Sequence, residues 1–302
     1  MTATLTAPGP VLVGVDGSTQ NASAVAWAAA EASASGGSVP LVLVHDADAA
    51  GWSAGRAILE RAGTVASAWD RQLTPSSELV QGGPAASLPA VALSWERALD
   101  RDPGSALVVV GRRGQGANAR VSLGRTARTL THPGGPTLVV VPDDWALGQV
   151  GPRAPIVVDV GTVPPPSAPT TGAAAVATTG GDRVGSERVE PALALALARA
   201  HRQQRPLLAV ASWSVPVAAA GQARAIREVW AEHAQAAEQA LDTVLAPWRP
   251  LYPDVLITGT ATDRNPVLAL LAHAEHAELL VLPRGPRASA VLEYATTPVT
   301  LV

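Results

Sequence analysis

Short apolar runs of four to six residues alternate along the chain with longer stretches of helical character. The first run, residues 11–15, is followed by Asp16-Gly17-Ser18-Thr19 and an Ala-rich segment over 21–33. Ser18 or Thr19 is expected to cap that helix, because a hydroxyl there accepts from a free backbone N–H. Gly36-Gly37 stops it before a second run at 39–45. The pattern then predicts a helix over 54–73, a short strand at 78–81, a helix over 85–99, a buried strand at 106–110, a helix over 120–130 and a strand at 136–141. Runs that are apolar at consecutive positions belong to strands covered on both faces, and strands alternating with helices make a parallel α/β sheet. Five such strands complete one domain, 8–142.

A segment rich in Pro, Gly and Asp, 142–154, reads as a linker. The pattern restarts at Ile156-Val157-Val158-Asp159-Val160 and fills a second domain, 154–302. It predicts helices over 191–201, 222–245 and 266–276, and strands at 207–213, 255–258, 279–282 and 299–302. Residues 162–186 are Pro/Gly/Thr/Ala-rich without periodicity and read as an insertion. The halves repeat one another. Glu78-Leu79-Val80-Gln81-Gly82, a helix and Leu107-Val108-Val109-Val110-Gly111 parallel Val255-Leu256-Ile257-Thr258-Gly259, a helix and Leu279-Leu280-Val281-Leu282-Pro283. A period of ~150 residues is a duplicated domain, too long for a solenoid repeat.

Composition narrows the chemistry. The 302 residues are 47% hydrophobic and 16% charged, which supports a substantial core. There is no Cys, which removes disulfides and thiolate chemistry. All 22 basic residues are Arg, so a Walker-type loop lysine and a Schiff base are excluded. The net charge of -3 argues against nucleic acid as a partner. No run approaches the ~20 apolar residues of a membrane span, and the start of the chain lacks a basic, then apolar, targeting pattern. The expectation is a cytoplasmic protein with no membrane partner.

The sharpest chemical feature is Gly111-Arg112-Arg113-Gly114, nine residues, then Gly124-Arg125-Thr126. It leaves the carboxyl end of a buried strand and enters a helix. In open parallel sheets ligands bind at that edge, where glycines let backbone N–H groups approach an anion and a helix N-terminus adds a favourable dipole. Val13-Gly14-Val15-Asp16-Gly17-Ser18 leaves the first strand at the same edge, and Val44-His45 ends the second.

At these residues the chain resembles the universal stress protein family, as a tandem member with a degenerate second copy. The resemblance implies two tandem flavodoxin-like or Rossmann-like domains, each a five-stranded parallel sheet of order 3-2-1-4-5 with helices on both faces. For one subgroup it also implies ATP, with or without Mg, held across the switch point of the sheet. Carried over by position, the nucleotide-binding residues are Asp16 with Gly17, His45 and Asp46 through their backbone, and Val110, Gly111, Gly114, Gly124, Arg125 and Thr126. The family has Ser or Thr directly after the third glycine, where this chain has Arg125. A guanidinium there either grips a phosphate or fills its site. The resemblance further implies pairing of the last strand of each copy within the chain, as monomer or homodimer, and a protein partner of unknown identity.

Arg112, Arg113, Arg120, Arg125 and Arg128 fall within seventeen residues that contain no acid. An anionic ligand accounts for that cluster, and so does a solvated basic face. Asp16 is placed to accept from ribose hydroxyls, or alternatively to shape the Asp-Gly-Ser-Thr turn. In the second half Gly161 stands where the aspartate is expected, and Pro283 and Pro286 replace loop glycines, so 154–302 is not expected to bind ATP in this manner. His273 and His276 read as helix surface, and His132 as a C-terminal helix cap. No catalytic residues and no metal ligands are assigned. The function expected is a nucleotide-responsive stress regulator and not an enzyme, slow ATP hydrolysis aside. The alternative is a nucleotide-free interaction protein with Arg125 in the old phosphate site.

Overall fold

The computed structural model describes residues 9–35, 40–46, 51–114, 122–146, 148–163, 186–215 and 223–302. Arg120 and nearly all of the expected insertion at 162–186 lie outside them. The chain forms two compact units. The first holds Met1–Pro152 with Glu278–Leu280 and Arg284–Val302, and the second holds Arg153–Ala277 with Val281–Pro283.

In the first unit the apolar runs become β1 (Val11–Gly14), β2 (Leu41–Asp46), β3 (Ser76–Val80), β4 (Leu107–Gly111) and β5 (Thr137–Val141). Helices α1 (Asn21–Ala34), α2 (Gly51–Trp69), α3 (Pro84–Ala98) and α4 (Arg125–Leu130) connect them. The strands are parallel, in the order β3-β2-β1-β4-β5. Leu12, Val13, Leu43, Val108, Val109, Leu138 and Val139 are fully buried, because helices cover both sides of these strands. Helices α1 and α2 pack on one another, as do α3 and α4, which are the two layers of a doubly wound sheet. The strand order reverses between β1 and β4, and their carboxyl ends part there to open a crevice.

Local chemistry sets the helix starts. Gly83, at φ +89, turns the chain into α3, and Pro84 begins the helix where its missing N–H is harmless. The expected hydroxyl cap of α1 is absent: Gln20 occupies the cap position with no side-chain cap bond, while the Ser18 hydroxyl donates to Asp16. The Asp-Gly-Ser turn has drawn the serine away from the helix.

The second unit contains β6 (Ile156–Thr162), α5 (Ser186–Gln203), β7 (Leu207–Ser212), α6 (Ala223–Leu245), β8 (Ile257–Thr262) and α7 (Pro266–Ala274). Its core comes from the same logic: Val189, Ala192, Leu193, Ala196, Leu197 and Ala200 form one buried stripe of α5. Strand β9 (Leu279–Leu282) is divided between the units. Within the second unit β6, β7 and β8 are parallel neighbours in that order, and β10 lies at Val299–Leu301.

Several elements differ from expectation: α4 begins at Arg125 and not at 120, because extended Gly124 precedes its first turn, and α5 runs over 186–203 and not 191–201. Strand β8 runs over 257–262 and not 255–258, because parallel pairing with β7 carries it through Thr258-Gly259-Thr260-Ala261, a stretch with little apolar character. Helix α8 (Pro286–Tyr294) has no counterpart in the sequence reading; its buried stripe is only Ala288, Val291 and Leu292. Helix α8 and β10 belong to the first unit, where β10 runs antiparallel to β5 with Val299 opposite Val140 and Leu301 opposite Leu138. Among the described residues no helix is long and apolar enough to cross a membrane.

Candidate functional site

The crevice at the carboxyl ends of β1 and β4 holds a cavity of about 670 Å³. Asp16, His45, Asp46, Val110, Gly111, Gly114, Gly124, Arg125 and Thr126 all line it. Gly17, the remaining residue expected to contact a nucleotide, does not. It sits at φ +80, and a Cβ there would stand 2.9 Å from the Ile58 side chain, so it makes the turn after β1 and leaves the lining to its neighbours.

Asp16 is held by that turn. Its Oδ1 accepts from the Ser18 backbone N–H at 2.9 Å and from the Ser18 hydroxyl at 2.7 Å. The turn reading of this residue holds, since one carboxylate oxygen shapes the turn, and the residue also lines the cavity. The other oxygen lies against the backbone of Gly114, where a Cβ would stand 2.7 Å from it. The spacing of the glycines follows from such close approaches. A Cβ on Gly111 would lie 3.2 Å from the Arg113 carbonyl, and one on Gly124 would lie 3.1 Å from the Arg112 carbonyl. The Gly124 N–H donates to that carbonyl at 2.8 Å, which pins the two ends of the 111–124 segment together. Residues 115–121 of this segment lie outside the described residues.

His45, one residue before the end of β2, is buried. Its Nδ1 lies 2.6 Å from the Val15 carbonyl, and a carbonyl only accepts, so Nδ1 carries the proton and Nε2 is an acceptor. Asn21 opens α1, and its Nδ2 donates to the Gly14 carbonyl at 2.9 Å. The His45 Nε2 and the Asn21 Oδ1 are buried and have no hydrogen-bond partner among the described residues. Both residues line the cavity, together with the apolar Val15, Val44, Val80, Leu88 and Val110. Asn21, Gly83 and Ser87 are lining residues that the sequence reading missed. Nothing marks Asn21 locally: it opens an Ala-rich helix, and only the packing of β1 beside β4 brings it to the crevice.

The arginine cluster is less cationic than its sequence window indicates. Arg113 pairs with Asp143 through Nε, and its backbone N–H donates to the same carboxylate at 3.2 Å. Arg112 lies 3.8 Å from Asp144. These acids follow β5, outside the seventeen-residue window. Arg125 and Arg128 are exposed, and the Arg125 guanidinium has no acidic partner among the described residues. The expected helix-dipole contribution is also weaker than anticipated. Helix α4 has six residues, fewer than two turns, so any anion donors come from the backbone and side chains of the loop itself.

In the second half Asp159 is buried and accepts from the Gly161 N–H at 2.8 Å across an irregularity in β6, a closed local contact. His276 lies beyond the end of α7, apart from the helix that carries His273. No cluster of potential metal ligands occurs among the described residues. His132 does cap its helix: Nδ1 lies 2.8 Å from the Thr129 carbonyl in the last turn of α4.

Comparison with known proteins agrees with the fold. Residues 9–141 match the model of the universal stress protein family. A universal stress protein of Mycolicibacterium smegmatis is 29% identical, over 97% of this chain and 96% of its own. One from Mycobacterium tuberculosis is 28% identical, over 90% and 85% respectively. The crystal structure of a universal stress protein from Archaeoglobus fulgidus shares the fold, with a TM-score of 0.59 at 11% identity over 99% of this chain and 97% of that one. The first domain, residues 9–141, is thus a universal stress protein domain, and the likeness to universal stress proteins runs along nearly all of the chain.

Proposed function

We propose that the first unit binds ATP or a related adenine nucleotide in the crevice between β1 and β4, and that the chain acts as a stress-response regulator by changing conformation or partner when the site fills. The observation that carries this reading is the convergence of Asp16, the three loop glycines and Arg125 on one cavity at the strand-order reversal. Its volume of about 670 Å³ lies within the ~300–1,000 Å³ typical of small-molecule sites. The apolar valines suit a base, and the loop backbone with Arg125 suits a phosphate chain. Buried acceptors left unmet cost about 1–3 kcal/mol each, so Asn21 and His45 favour a ligand that carries hydroxyl or amino donors. We infer slow hydrolysis at most, since the Asp16 carboxylate is engaged by Ser18 and is poorly placed to activate water.

The second reading, a nucleotide-free interaction protein, draws on that same engagement of Asp16 and on Arg125 standing where the family carries a hydroxyl. Titration of the nucleotide-stripped protein with Mg-ATP, beside Arg125→Ser, separates the two. If Arg125 holds phosphate, the wild type binds and the variant loses about tenfold or more, the loss of a charge-assisted hydrogen bond. Binding that appears only in the variant makes Arg125 a plug and overturns the nucleotide reading of the native chain.

A further inference from the structure

Arg284 follows β9 in the second half of the sequence, outside the 9–141 family match, yet it belongs to the first compact unit. Its side chain is buried and donates from Nη1 to the carbonyls of Leu130, at 2.6 Å, and His132, at 3.2 Å, and from Nη2 to the carbonyl of Pro136. Gly135 leaves room for it; a Cβ there would stand 3.4 Å from Nη2. Burial lowers its pKa, and among the described residues no carboxylate pairs with it. Three carbonyl oxygens stand in for a counter-ion.

Leu130 is the last residue of α4, and the residues at the other end of that helix, Gly124, Arg125 and Thr126, line the cavity. A helix of six residues is not stable by itself, so its carboxyl end must be fixed from outside if its first turn is to hold a defined position. Arg284 supplies that fixing point. The same C-terminal segment also grips the loop stem: Arg112 donates from Nη1 to the carbonyl of Ala295, the residue that ends α8, and the Arg112 carbonyl receives the Gly124 N–H.

We infer that Arg284 is a positioning residue for the phosphate end of the cavity, acting through α4 on Gly124, Arg125 and Thr126 without touching the ligand. This rests on the nucleotide reading of the crevice. In consequence the C-terminal segment, whose own loop carries Pro283 and Pro286 in place of glycines, completes the site of the first unit.

The test compares ATP with adenosine, titrated calorimetrically into wild type, Arg284→Gln and Arg284→Lys, with far-UV circular dichroism confirming that each is folded. A positioning role predicts that Arg284→Gln weakens ATP about tenfold, leaves adenosine within about twofold, and that Arg284→Lys recovers part of the loss, since one ammonium meets fewer of the three carbonyls. Equal loss of both ligands makes Arg284 a general structural residue and overturns the inference, as does an unchanged ATP affinity in Arg284→Gln. If the wild type binds neither ligand, the nucleotide reading itself fails, and this inference with it.

Discussion

Asp16 and Gly114 are 98 positions apart in the chain and in contact in the fold, and their contact explains why the loop needs a glycine there. Ser18 holds the carboxylate from one side, so a methyl at position 114 must displace it. Gly114→Ala is expected to cost about 1–2 kcal/mol of stability, and most of that loss should vanish in an Asp16→Ala background. Urea unfolding of the four-member cycle measures the coupling; equal losses in both backgrounds would show that the contact does not matter. The glycine spacing and Asp16 were legible because turn and loop chemistry is local. The pairing of Arg113 with Asp143 was not, since a basic run says nothing about which acids a later strand brings beside it. Nor was Asn21, whose importance comes only from the register of β1 with β4.

At the scale of elements, strands buried on both faces announce themselves as unbroken apolar runs, and β1, β4 and β9 stand within a residue or so of where those runs predict. Pairing decides the rest. Strand β8 contains Thr258-Gly259-Thr260 and is a strand because β7 offers it a ladder; α8 presents too short a stripe to be recognised. Helix α7 shows a cap working alone: the Asn265 side chain accepts from the N–H groups of Val267 and Leu268. Asn265→Ala should cost about 1 kcal/mol by urea denaturation, and a loss near zero would mean that water replaces the cap. A second tie joins α1 to the chain beyond α2. Asp70 accepts from the Gln72 N–H and from the Ser33 hydroxyl, and these bonds hold its pKa below the ordinary carboxylate range. Since the folded-state pKa is the lower one, this stabilisation is present above the unfolded-state value and is lost as pH falls through the folded-state value. Asp70→Asn should therefore lose less stability than the wild type as pH falls through and below the ordinary carboxylate range. Parallel acid profiles for the two proteins would remove Asp70 from the account.

For the molecule as a whole, duplication could be read from the repeated patterns and the strand order of the first unit came with the family resemblance, whereas the assignment of 284–302 to the first compact unit could be read from neither. Strand β10 covers the edge of β5, and an uncovered edge of Leu138, Val139 and Val140 would invite pairing with another chain. A chain ending at Pro283 should therefore self-associate, and light scattering on a size-exclusion column should find it larger than the full chain; an unchanged particle would mean that β5 protects itself by other means. The central claim is that the family resemblance in the first half is functional, with Asp16 and the glycine loop still forming a nucleotide site. Calorimetric titration of the nucleotide-stripped chain with Mg-ATP, beside Asp16→Ala, tests it most directly. The account predicts saturable binding at a single site per chain in the wild type and its loss in the variant. A folded wild-type protein that takes up no ATP would contradict it.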